Sequence, residues 1–267
     1  MTLSGERTVS GVGIHSGQLS QVRLMPAPAG SGFLFSQPGK TAFRADPATV
    51  VDTRRCTVVA QGDIRISTVE HLLSACAGLG VYDLAVEVDG PELPILDGSA
   101  AAWVDVLRDA GLTGESAPGP QLPHEIEVLG ENGAFVIASP RRGRAVLDVV
   151  IDFAHPVVGK QKAHYGARTD FANAIAPART FGFREEVDQL LAAGLAKGAS
   201  LDNAVVVEPT GYSVALRYRN ELARHKLLDL IGDLALAGPL PNAAIFAYRP
   251  SHRLNNELAR AIAQVCR

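Results

Sequence analysis

Hydrophobic and polar residues alternate along QVRLMP (21–26), GFLFSQ (32–37) and YDLAVEVDG (82–90), the period of two that a half-buried strand produces. In STVEHLLSACAGLG (67–80) the spacing becomes helical, with Ser67 or Thr68 placed to cap the start and glycines to stop it. SAAAWVDVLRDAGL (99–112) reads as a second helix, ending at Gly111. The next stretch, TGESAPGPQLP (113–123), is dense in Pro, Gly and Ser and carries neither period. It marks a boundary between two units, 1–115 and 124–267.

The second unit repeats the grammar of the first. Strands are predicted over 124–130, 134–139, 145–153, 203–208 and 243–249, and helices over 184–194, 220–238 and 252–266. Strands, helix, strand and helix, met twice, predict two similar layered α/β units and suggest a duplication. The basic SPRRGRA (139–145), with Arg141, Arg142 and Arg144 around a glycine, reads as a hairpin turn.

Composition narrows the function classes. With 267 residues, 47% of them hydrophobic, the chain can bury one large core or two modest ones. A net charge of −3 without a clustered basic face excludes a nucleic-acid footprint. No apolar run approaches membrane-spanning length, and MTLSGERTVSG lacks the layout of a secretory signal, so a cytoplasmic monomer without a transmembrane segment is expected. Three distant cysteines, Cys56, Cys76 and Cys266, argue against a disulfide framework, and Cys76 reads as a small buried thiol.

Three constellations could carry chemistry. His225, Asp229 and Asp233 follow one another at four-residue steps, so they share one face of an otherwise aliphatic helix. His225 and Asp229 offer two metal ligands one turn apart, Lys226 adds a cation, and Asp233 could orient another imidazole. A polar edge on an amphipathic helix is the alternative. In Glu70-His71 the two side chains point about 100° apart, so the imidazole can bind a metal while the carboxylate serves as a base beside it. His252, opening the last helix, can titrate near neutrality as a general acid must; a capping or surface histidine is the alternative. His15, His124, His155 and His164 have no carboxylate at metal-binding spacing and read as structural, except that His15 sits in the glycine-rich GVGIHSG, which is neither a Walker loop nor a dinucleotide fingerprint.

Taken in order, GVGIHSG (11–17), DTRRCT (52–57), STVEHLLSACAGLG (67–80), VDGPELPILDGSAAAWV (88–104), APARTFGF (176–183), KGASLDNAVV (197–206), RHKLLDLIGDLALAG (224–238) and SHRLNN (251–256) form a specific set. The chain resembles, over nearly its whole length, the zinc-dependent UDP-3-O-acyl-N-acetylglucosamine deacetylases of lipid A biosynthesis. The resemblance implies an α+β fold of two βα two-layer sandwich domains with the active site at their interface. It implies zinc on His71, His225 and Asp229, a combination that also accepts Fe²⁺. Glu70 would be the general base and Thr180 the oxyanion donor. His252 would be the general acid oriented by Asp233, with Lys226, Phe181 and Phe183 contacting a UDP-activated acylated amino sugar. An apolar passage for the acyl chain is expected between 184 and 210, where Leu190, Leu191 and Leu195 are available. Two other readings use the same residues: a deacetylase of another N-acetylated amino-sugar conjugate, and a catalytically silent relative that binds metal or sugar nucleotide. Ser251 and Ala199 stand where the family usually has glycine, and VYDL (81–84) where it usually has an Asp-Asn pair.

Overall fold

The computed structural model describes residues 1–194 and 196–266, without the side chains of Leu190 and Leu191. Those two leucines and Leu195, assigned above to an apolar passage, lie outside what is described.

Two five-stranded sheets organise the α+β chain. The first is built from Arg7–Val12, Leu19–Pro26, Phe33–Ser36, Phe43–Ala45 and Leu84–Asp89, and the second from Ile126–Leu129, Phe135–Pro140, Val146–Asp152, Lys160–Tyr165 and Ala243–Tyr248. Both have the spatial order first, second, fifth, third, fourth. In both, the fifth strand runs parallel to the third and every other neighbour is antiparallel. The repeat expected from the pattern is therefore present in the topology of the sheets. Alternation does the local work: Val22 and Leu24 of one sheet, and Leu147, Val149 and Ile151 of the other, point into the core.

The helices are α1 (Glu70–Leu79), α2 (Ala101–Asp109), α3 (Phe171–Ala174), α4 (Arg184–Ala192), α5 (Glu221–Ala235) and α6 (His252–Val265). In each half a small three-stranded sheet and then a helix, α1 or α5, lie between the fourth and fifth strands, and a last helix, α2 or α6, follows the fifth. The helices α1 and α5 thus hold equivalent places, and they pack on each other. That contact explains why both are buried nearly all round. Gly232 makes the approach close: a methyl group there would stand 2.0 Å from the backbone oxygen of Glu70. Gly232→Ala must force the pair apart, at about 1–3 kcal/mol for overpacking. For a chain of this size we expect a loss of roughly 2–4 °C in melting temperature per kcal/mol. An unshifted thermal melt would show slack at this crossing.

Two local expectations need correction. Neither Ser67 nor Thr68 caps α1: the N-cap is Val69, whose apolar side chain makes no capping hydrogen bond. Ser67 ends a strand, and Thr68, at φ 61°, turns its hydroxyl away to donate to buried Glu92 at 2.8 Å. The SPRRGRA turn joins no hairpin either, because strand Ala243–Tyr248 lies between the two strands it connects. No described helix is long and apolar enough to cross a membrane.

Candidate active site

Three successive turns of α5 present His225, Asp229 and Asp233, all buried, toward the start of α1. The first turn of α1 supplies Glu70 and His71, also buried. His71 Nε2 lies 3.9 Å and His225 Nε2 3.4 Å from Asp229 Oδ1. The two imidazoles meet edge to face with centroids 5.1 Å apart. One ligand atom from each of the three residues falls within 4.8 Å of the others.

Hydrogen bonding fits this trio to a divalent cation. His225 Nδ1 donates to the Ala178 carbonyl at 3.0 Å, which leaves Nε2 as the lone-pair nitrogen facing the cluster. Lys226 Nζ donates to Asp229 Oδ2 at 2.8 Å, while the buried Asp229 Oδ1 accepts no hydrogen bond among the described residues. An orphaned carboxylate oxygen costs several kcal/mol unless something positive meets it. A divalent cation held by these three donors would meet it here. Burial, reinforced by His225, lowers the His71 imidazole to about 3, and burial likewise lowers His225. Both rings are neutral near pH 7, the form a metal ligand requires. Burial alone would raise the Asp229 carboxyl, but His225, Lys226, His252 and His71 outweigh it and hold it well below the usual range.

Glu70 and His252 flank the trio. Glu70 Oε2 accepts the Thr57 amide at 3.0 Å, and Oε1 faces His252 Nε2 at 4.0 Å. Burial pushes the Glu70 carboxyl up to about 8, with Asp233 and Asp229 adding to the rise and His252 opposing it. Burial would lower His252, yet the charges of Asp233, Asp229 and Glu70 and the Asp233 hydrogen bond raise it to about 9. That bond, His252 Nδ1 to Asp233 Oδ2 at 2.9 Å, joins α6 to α5. Ser251 accepts the Leu254 amide at 3.3 Å as the N-cap of α6, at φ −141°, an extended conformation that needs no glycine. Ala199 is exposed, outside this cluster.

Thr180 sits between the halves: its amide donates to Gly98 O at 2.8 Å, and its carbonyl accepts from Val205 N at 2.9 Å. Its neighbour Arg179 is clamped to Glu221 in the first turn of α5 by a buried ion pair at 2.8 Å. The segment carrying Ala178 and Thr180 is thereby tied to the helix that carries the cluster. Phe181 lies 6.2 Å from the His225 ring, with Lys226 Nζ 5.7 Å from its own centroid. Phe183 meets Phe153 edge-on at 5.0 Å and lies tilted against His155 at 5.4 Å.

Sequence reasoning did not single out Thr57, Asn255 or Asn256, which complete the polar network around Asp233. Asn255 and Asn256 lie three and four residues beyond His252, so helical spacing puts them on its face. Thr57 has no such signal, since it lies in the irregular link between strands Val50–Asp52 and Val58–Gln61.

A family model described as UDP-3-O-acyl N-acetylglycosamine deacetylase matches residues 1–264. The UDP-3-O-acyl-N-acetylglucosamine deacetylase of Nostoc sp. is 40% identical over 272 residues, covering 98% of this chain and 97% of its own. The protein of the same name from Acidithiobacillus ferrooxidans is 43% identical over 264 residues, 95% of this chain and 86% of its own. That of Haemophilus ducreyi is 39% identical over 273 residues, 98% and 89%. These matches run through both halves of the molecule, and so through both sources of the polar cluster: the chain belongs to the UDP-3-O-acyl N-acetylglycosamine deacetylase family.

Proposed function

We propose that this protein hydrolyses the N-acetyl group of UDP-3-O-(3-hydroxyacyl)-N-acetylglucosamine, giving acetate and the free amine, the deacetylation step of lipid A biosynthesis. The observation that carries the reading is the meeting of His71 with His225 and Asp229, beside Glu70 and His252, at the contact of α1 and α5. The two units, 1–115 and 124–267, are the domains in this reading, with the substrate between them.

His71, His225 and Asp229 would hold zinc, which two imidazoles and a carboxylate suit. When bound, the ion supplies Lewis-acid polarisation of the acetamide carbonyl and acidifies water. Glu70, in its ionised form, accepts a proton from the attacking water as the water oxygen adds to the carbonyl carbon. The Thr180 hydroxyl donates to the carbonyl oxygen as that oxygen becomes negative. His252, kept cationic and oriented by Asp233, gives its proton to the departing nitrogen as the C–N bond breaks. Lys226, Phe181 and Phe183 contact the UDP-sugar, and the acyl chain runs along the 184–210 segment.

Acetate release from the acylated UDP-sugar, followed with and without chelator, tests the proposal. Activity should disappear on chelation and return with added zinc. Preference for the unacylated sugar would favour a deacetylase of another conjugate, and no acetate from either a silent relative.

A further inference from the structure

We propose that Thr57 is a positioning residue that holds Glu70 and the Asp233–His252 pair in one register across the two halves of the chain. The inference rests on the deacetylase reading for the roles of those groups, and on geometry for the link itself. Thr57 is fully buried, and each of its polar groups is spent on this site. Its amide donates to Glu70 Oε2 at 3.0 Å, and its carbonyl accepts from Val69 N, the N-cap of α1, at 3.4 Å. Its hydroxyl oxygen stands 2.5 Å from Asp233 Oδ1, 3.1 Å from Asn256 Nδ2 and 3.5 Å from His252 Nδ1.

The direction of the Asn256 contact is fixed by chemistry. Asn256 Nδ2 also donates to the His252 carbonyl at 2.8 Å, so it is the amide nitrogen, which only donates. The Thr57 oxygen therefore accepts from Asn256, and its single proton is left for Asp233. Asp233 Oδ2 already receives His252 Nδ1 and Asn255 Nδ2, each at 2.9 Å. Thr57 supplies the donor to Oδ1, the oxygen not bonded to the imidazole. One residue thus sets the carboxylate meant to take a proton and, through Asp233, the imidazole meant to give one. Cys56 and Asn256 share its surroundings, but neither bonds to both groups.

Thr57→Val keeps the side-chain shape and removes the hydroxyl, whereas Thr57→Ser keeps the hydroxyl. For the valine variant of the metal-loaded protein we expect kcat to fall roughly 10–100-fold, the scale of one buried partner removed from a charged group. KM should stay within about two-fold, since no substrate contact is touched, and metal content should stay at the level of the unmodified protein. Serine should restore most of the rate. A ¹⁵N-histidine spectrum gives an independent readout. The His252 Nδ1 proton should exchange slowly in the unmodified and serine proteins and rapidly in the valine variant. Should valine not fold, Thr57→Ala carries the same expectations. Full kcat with valine, serine as damaging as valine, or an unchanged Nδ1 proton would overturn the proposal. If the unmodified protein releases no acetate, the deacetylase reading falls, and the proton exchange alone decides whether Thr57 positions His252.

Discussion

Asp229→Ala is expected to yield a protein that has lost its metal affinity and, with it, acetate release. Asp229 offers the trio its oxygen donor, Oδ1, and that atom accepts no hydrogen bond among the described residues. Removing a residue that merely orients a ligand already costs about 10–100-fold in metal affinity, so removing the ligand itself should exceed 100-fold. The variant also frees Lys226, whose ammonium Asp229 neutralises at 2.8 Å, and leaves a positive charge beside the vacated position. Both effects act against a cation. Metal analysis of the purified variant checks this, and a full equivalent of zinc would refute the ligand role of Asp229.

Glu70→Ala should show the opposite signature, with metal content intact and kcat lower by about 10²–10⁴-fold, the range of general acid–base catalysis. The distinction follows from position. Glu70 is adjacent in sequence to His71, but its carboxylate is engaged with the Thr57 amide and faces His252. Glu70→Gln makes a sharper companion, because it keeps an acceptor for that amide yet cannot take a proton. Equal losses in the two variants assign the defect to proton transfer. Turnover unchanged in either would remove Glu70 from the role of base.

The strands and the principal helices were legible because their burial is one-sided or total. The alternation around Val22 and Leu24 survives intact in the sheet, and the aliphatic run of α5 is a helix sealed on every side. The polar row His225–Asp229–Asp233 was legible as a row, from a spacing of four. What it faced was not: periodicity describes one helix and is silent about its partner, so the meeting with His71 was implied only by resemblance. Strand order was beyond reach for the same reason. A turn such as SPRRGRA reports that the chain reverses, but not that Ala243–Tyr248 will later enter between its arms. The cap of α1 was misjudged because Thr68 is drawn to Glu92, a carboxylate distant in sequence.

A set of ligands drawn from two helices that belong to opposite halves of the chain has a thermodynamic corollary. Any ion seated there is also a cross-link, and its affinity and the cohesion of the two halves become one linked quantity. Strain that loosens the seam at Gly232 must weaken the grip on the ion, and an ion bound more tightly must stiffen the seam by the same free energy.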